Sequence, residues 1–130
     1  MAHAAPQSCP ATTRRPLARH PLRAARLAEQ ATAELLHALR RPLRGCGDLG
    51  DQARRAAISV TLNVVEGHAQ RGGNRLRHWR AAHGSCQEVK AALRLLAAAG
   101  ALSGGEAERL HGRFDEVGRL LWGLLRRPGR

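Results

Sequence analysis

The sequence of 130 residues predicts an all-α fold, an antiparallel up-down-up-down four-helix bundle. Aromatic residues make up only 2% of the chain, so the core must be built from Leu, Val and Ala, and Ala and Leu are strong helix formers. β-Branched residues cluster only between Ile58 and Val65, and they do not alternate with the period of two that marks a strand. Four apolar segments of helical period, joined by short connections, complete the prediction.

The first helix is expected over about residues 22–40, because apolar positions recur at spacings of four and three residues and Pro42 then ends the helix. The preceding residues contain four prolines together with Arg14, Arg15 and Arg19. This composition predicts a disordered basic arm over residues 1–21. The predicted organisation is therefore an arm, a bundle over residues 22–127 and a short tail over residues 128–130.

The second helix, from an N-cap at Asp48 to about Gly67, has two apolar arcs instead of one. Ala53, Ala57, Val60 and Val64 share the first arc at 100° per residue, whereas Ile58, Leu62 and Val65 share the second. An ordinary surface helix has a single apolar stripe. We therefore expect this helix to be covered from two sides, by its own bundle and by a neighbouring subunit.

The third helix is expected from a cap at Asn74 to about Ala99, with Gly100 as its stop. Ser103 and Glu106 have the spacing of a capping box that opens a fourth helix. The two core stripes contain these residues: Trp79, Ala82, Cys86, Val89, Leu93 and Leu96, then Leu110, Phe114, Val117, Leu121 and Leu124.

The formal net charge of +12 comes almost entirely from arginine and favours anionic partners, with nucleic acid first among them. The alternative is a compositional bias with no binding partner. The predicted phosphate-binding residues are Arg14, Arg15 and Arg19 in the arm and Arg80, Lys90 and Arg94 on the third helix. Three widely spaced cysteines and the lack of an 18-residue apolar run are typical of a cytoplasmic protein that is not inserted in a membrane.

Polar residues on the second and third helices predict a buried hydrogen-bond network. Its expected members are Arg55, Ser59, Asn63, Glu66, Ser85 and Glu88, with Arg54 or Arg55 neutralising the carboxylates. The alternative is an acid–base pair of Glu66 and Glu88. No nucleophile stands at a recognised spacing from a base, and no glycine-rich loop precedes a helix, so we expect no enzymatic activity and no cofactor. The seven histidines lack metal-ligand spacing, so no metal is expected.

One segment resembles the Gln-Leu-Arg-Arg-Ala-x-x-Ser-Ile-x-x-Asn-Ile-Ala-Glu-Gly motif of a bacterial four-helix-bundle family named after intervening sequences in 23S ribosomal RNA. The matching residues are Gln52, Arg54, Arg55, Ala56, Ser59, Asn63, Glu66 and Gly67. Two shorter elements are also similar to the family's, at Trp79, Ala82, Gly84, Ser85 and Glu88, and at Leu102, Glu106, Glu116, Gly118, Arg119, Leu121, Gly123 and Leu124. The chain departs from the motif at Val65, where Ala is usual, and at Thr61, where Pro is common.

The resemblance covers about residues 22–127 and implies a ring-shaped homopentamer of four-helix bundles. It also implies a relation to the accessory proteins of diversity-generating retroelements, which are basic pentamers that partner a reverse transcriptase. We therefore expect a non-enzymatic, cytoplasmic homopentamer that binds the RNA or DNA backbone. The alternative is a protein–protein adaptor or scaffold for a separate enzyme such as a reverse transcriptase.

Overall fold

A computed structural model describes residues 16–127, which form four α-helices and no strand. The helices are α1 (Arg23–Ala38), α2 (Gly47–Ala69), α3 (Gly72–Ala98) and α4 (Gly104–Leu125). The predicted all-α class with four helices is therefore confirmed. Residues 1–15, which include Arg14 and Arg15, and the tail over residues 128–130 lie outside the described residues.

The helix ends correct two predicted caps. The N-cap of α2 is Cys46. Asp48 lies inside the first turn, where its carboxylate interacts favourably with the positive end of the helix dipole. The N-cap of α3 is Arg71, so Asn74 is also an internal residue and not a cap. Because α2 continues to Ala69, only two residues, 70 and 71, connect it to α3.

The end of α3 and the start of α4 follow local sequence signals. Gly100 has a φ of 78°, the left-handed conformation that glycine adopts most readily after a helix. Ser103 Oγ then accepts a hydrogen bond of 3.1 Å from the backbone N–H of Glu106. This is one half of the predicted capping box. The Glu106 carboxylate pairs instead with Arg41, which joins the connection after α1 to the first turn of α4.

Each helix packs against the two helices that adjoin it in the cycle α1–α2–α3–α4–α1, and α2 and α3 share the most extensive interface. The inner arc of α2 is fully buried, as its spacing predicts. The predicted core stripes of α3 and α4 are buried as well, apart from a partly exposed Leu124 at the end of α4. The largest fully buried side chains are Phe114, Leu35, Leu39, Leu93, Leu96, Leu110 and Leu121.

The helices α2 and α3 approach each other closely at Gly67. A Cβ atom placed there would lie 2.5 Å from Trp79 Cδ1 and 3.2 Å from the backbone oxygen of Arg75. The indole of Trp79 is buried, and its Nε1–H donates to the carbonyl of Val64 over 3.3 Å. Only a residue without a side chain lets the indole occupy this position.

We therefore expect Gly67→Ala to lower the free energy of unfolding by about 1–3 kcal/mol, because the added methyl must displace a hydrogen-bonded indole or the backbone of α3. Gly84→Ala is the matched control, since Gly84 is also inside a helix but a Cβ there meets no heavy atom within 4 Å. That change should stabilise the protein by up to about 1 kcal/mol through helix propensity. Urea denaturation measures both, and equal effects of the two variants would contradict the packing argument.

Candidate functional site

A chain of polar contacts joins the middle of α2 to the first half of α3. Ser59 Oγ and Ser85 Oγ are 2.9 Å apart. The Asn63 amide donates to the Ser59 backbone oxygen over 2.9 Å and lies 3.1 Å from Ser59 Oγ. Asn63 Oδ1 in turn lies 3.0 Å from Nδ1 of His78. We call these four residues the α2–α3 polar cluster.

The polar cluster contains Ser59, Asn63 and Ser85 of the predicted network but not its charged members. Arg55 is exposed and donates to Gln52, and Glu66 is exposed and accepts from Gln70. Glu88 is also exposed. The predicted burial of these carboxylates against an arginine is therefore wrong for the single chain. The physical reason is the angular position of these residues around α2. Arg55 and Glu66 lie further from the buried arc than Ser59 does, on the side of the helix that faces away from the core.

His78 is the cluster member that the sequence analysis did not assign. The available signal was positional. The family that the sequence resembles usually has an aromatic residue at position 78. An imidazole beside Trp79 is a polar replacement that can hydrogen-bond to Asn63. A hydrogen bond to Asn63 satisfies one imidazole nitrogen at the helix interface, so the substitution is compatible with partial burial.

The polar cluster lacks the arrangement that activates a serine. The imidazole of His78 contacts Asn63, so the two serine hydroxyls bond to each other instead of to a base. The thiol of Cys86 is buried, and this burial raises its pKa to about 12, which keeps it protonated at neutral pH. Within the described residues, no three His, Cys, Asp or Glu side chains come together in a way that could hold a metal ion. The cluster can join helices, and it holds no activated nucleophile.

Lys90, a predicted phosphate ligand, is already engaged inside the protein. Its side chain is only 12% exposed, and Nζ lies 3.0 Å from Asp115 Oδ1 on α4. The hydrogen bond from this ammonium group lowers the pKa of Asp115. Phosphate binding by Lys90 would require this ion pair to break, so we expect a smaller contribution from Lys90 than from the exposed arginines. Arg80 and Arg94 are exposed, and Arg94 Nη1 lies 3.2 Å from His111.

The structure brings together arginines that are distant in the sequence. Arg75 donates to the carbonyls of Gly67 and His68, and the rings of His20 and His68 are 4.9 Å apart. Arg23 Nη2 lies 3.4 Å from Glu116 on α4. These contacts place the start of α1, the end of α2, the start of α3 and the second half of α4 at one end of the molecule.

We call this region the arginine-rich end and define it by the two helical turns nearest these termini and the adjoining connections. It contains nine arginines against two carboxylates, a formal charge of +7: Arg19, Arg23, Arg26, Arg71, Arg75, Arg77, Arg119, Arg126 and Arg127, with Glu29 and Glu66. Glu116 and Asp115, which pair with Arg23 and Arg119, lie just outside these two turns. The region around the other four termini has five arginines and five carboxylates, which cancel: Arg40, Arg41, Arg44, Arg94 and Arg109, with Glu34, Asp48, Asp51, Glu106 and Glu108. Of the predicted ligands within residues 16–127, Arg19 alone lies in the arginine-rich end.

A second surface is apolar and lies on the outer arc of α2. Ile58 is 42% exposed and Leu62 is 63% exposed in the single chain, whereas the inner arc is fully buried. Leu36 on α1 is also exposed. It lies one turn after Thr32, whose hydroxyl donates to the carbonyl of Ala57 on α2. We call Ile58 and Leu62 the apolar patch.

The hydrogen bonds of Asn63 predict that Asn63→Leu lowers the free energy of unfolding by about 1–3 kcal/mol, because it leaves His78 and Ser59 without their partner. Glu66→Leu, one turn later on the same helix, is the control and should change the stability of the single chain by no more than about 0.5 kcal/mol. Denaturation by urea, at protein concentrations low enough to keep the chain monomeric, measures both. Equal destabilisation by the two changes would show that Glu66 has a buried partner.

Within residues 16–127, none of the four helices has the length and hydropathy needed to cross a membrane. A search of curated proteins finds no match. A crystal structure of a protein of unknown function from the S23 ribosomal protein family of Bacteroides thetaiotaomicron has a similar fold, with a TM-score of 0.60 at 16% identity. The match covers 80% of this chain and 92% of that one. The family model of the 23S rRNA-intervening sequence protein matches residues 21–123, so the chain belongs to the family of 23S rRNA-intervening sequence proteins.

Proposed function

We propose that this protein is a non-enzymatic, self-assembling helical bundle that binds the phosphate backbone of nucleic acid through its arginine-rich end. The observation that supports this proposal most directly is the collection of nine arginines against two carboxylates in one region. The opposite region has no net charge, so the positive potential is directed to one side of the molecule. A cytoplasmic location and the lack of a cofactor belong to the same proposal.

In this proposal the four helices alternate in direction. Along α2, Ser59 contacts Ser85, Asn63 contacts His78, and Gly67 contacts Arg75. Residue numbers therefore rise on α2 as they fall on α3. Lys90–Asp115 and Arg94–His111 have the same relation between α3 and α4. An up-down-up-down bundle accounts for these pairs with short connections.

Self-assembly is supported by the apolar patch. Leu62 and Ile58 expose large side chains on a helix whose opposite arc already fills the core. A neighbouring chain that covers the patch would remove this area from water, at about 25 cal/mol per Å² of apolar surface. The resemblance on which we base the stoichiometry implies a homopentameric ring, and a ring requires this patch to meet a different surface on the next chain.

Leu62→Glu should therefore reduce the mass of the assembly, because it places a carboxylate in the interface between chains. Light scattering on the eluting peak should give about five chain masses for the unchanged protein and a lower mass for the variant. Gln52→Glu also introduces a carboxylate, at an exposed position on the same helix, and should leave the mass unchanged. A monomeric unchanged protein at micromolar concentration would contradict the proposed assembly.

Binding to nucleic acid should depend on phosphate contacts rather than on base stacking. Trp79 and Phe114 are buried in the core, and Trp122, which is 52% exposed, packs beside His83. A stacking platform needs aromatic faces that are open to successive bases. The described part of the chain offers arginines in place of such faces, so we expect little preference for sequence and a strong dependence on salt.

Replacing Arg71, Arg126 and Arg127 with Gln should weaken binding to duplex DNA and flatten the slope of log K against log salt by about 0.9 for each phosphate that the protein no longer binds. The matched control replaces Arg40, Arg44 and Arg109 at the opposite end, with the same change in net charge. A third variant, Arg80→Gln with Arg94→Gln, tests the face that the sequence alone suggested. Electrophoretic shifts at several salt concentrations measure all three.

Equal weakening of binding in the first two variants would show that only the total charge matters, and no shift of the unchanged protein at low salt would exclude nucleic-acid binding. The second result would favour the alternative function, a protein–protein adaptor. The relation to the accessory proteins of diversity-generating retroelements belongs to this alternative as much as to the first proposal, since a reverse transcriptase would be a protein partner. The apolar patch is the observation that favours an adaptor.

A further inference from the structure

A groove lies between the start of α1 and the last turns of α4. Its apolar lining comes from both helices: Leu22, Ala24, Leu120, Gly123 and Leu124. Its volume is about 310 Å³, within the range of sites that hold small molecules. The groove is separate from the apolar patch on α2 and from the α2–α3 polar cluster.

Three arginines, Arg23, Arg119 and Arg127, are among the residues that line this groove. Arg23 lies 3.4 Å from Glu116, and Arg119 lies 3.5 Å from Asp115. Both arginine side chains are more than half exposed, so these are surface ion pairs that a ligand can replace at little cost. In the part of the chain that the structure describes, no carboxylate pairs with Arg127. The groove therefore combines an apolar floor with a cationic rim.

We propose that this groove binds a single-chain anionic amphiphile, with an alkyl chain along the apolar floor and a carboxylate on the arginines of the rim. Guanidinium groups bind carboxylates through paired, charge-assisted hydrogen bonds. Each methylene that becomes fully buried strengthens binding about fourfold, so affinity should rise with chain length until the groove is filled. This inference does not depend on nucleic-acid binding, and either can fail without the other.

Gly123 supplies the means of testing the groove directly. A Cβ atom at this position meets no heavy atom within 4 Å, so the absence of a side chain leaves space on the floor. A leucine at position 123 would occupy that space. Gly112 is a second glycine on α4 whose Cβ also meets no heavy atom within 4 Å, but Gly112 does not line the groove. Gly112→Leu is therefore a matched control for helix propensity and added surface hydrophobicity.

The test is isothermal titration of the full-length protein with decanoate below its micelle-forming concentration. We expect one site per chain, binding of hexanoate at least about tenfold weaker, and no binding of decyltrimethylammonium. Gly123→Leu should weaken decanoate binding at least about tenfold, and Gly112→Leu should leave it unchanged. Arg127→Gln, which alters only an exposed side chain, should weaken decanoate binding but leave the binding of decanol unaffected.

Four results would overturn the proposal. Failure of decanoate to bind would show that the groove takes no such ligand, and equal binding of decyltrimethylammonium would remove the role of the arginines. Unchanged decanoate binding in Gly123→Leu would place the site elsewhere. If Gly123→Leu instead changed the assembly mass in light scattering while Gly112→Leu did not, the groove would be an interface between copies of the chain. Electrophoretic shifts on the same variants separate these outcomes from a failure of nucleic-acid binding.

Discussion

The packing of the Trp79 indole against Gly67 is the constraint on which the rest of the structure depends. The indole fills the space that a side chain on Gly67 would need, and its N–H bonds to the carbonyl of Val64. Arg75 closes the same corner from outside, because it donates to the carbonyls of Gly67 and His68 and its guanidinium carbon lies 5.3 Å from the centre of the indole ring. With only two residues between the helices, these contacts determine how α3 packs along α2.

This packing sets the register of the other polar contacts. Once Trp79 is seated, His78 reaches Asn63, and Ser85, about two turns further along α3, reaches Ser59. The small serine side chains allow the helices to remain close and satisfy each other's hydrogen bonds, which buried hydroxyls require. Because the core lies on one side of this seam, Ile58 and Leu62 are left on the outer side of α2. The apolar patch is therefore a consequence of a register that the glycine and the indole determine.

Features that depend on residues near in sequence were predicted well, whereas contacts between helices were predicted less well. The four helices, the buried arc of α2 and the cap at Ser103 follow from spacing and from side-chain chemistry near in sequence. The exposure of Glu66 and the burial of Lys90 depend on which neighbour each helix presents, and a helical wheel does not contain that information. Lys90 pairs with Asp115, which is 25 residues away in the sequence. The arginine-rich end was missed for the same reason, since its arginines come from α1, α3 and α4 and from the residues that flank these helices.

The distribution of charge has an energetic consequence for function. Away from the arginine-rich end, carboxylates neutralise cations across helices, as Glu34 does with Arg109 and Arg113. At the arginine-rich end, Arg23 pairs with Glu116 and Arg119 with Asp115, but arginines outnumber carboxylates, and the backbone holds these like charges together. The bundle therefore carries a repulsion that an anion would relieve, and salt would weaken both the repulsion and the binding. If neighbouring chains form the proposed ring with their bundle axes parallel, their arginine-rich ends would face the same direction, and each added chain would increase the attraction for a polyanion.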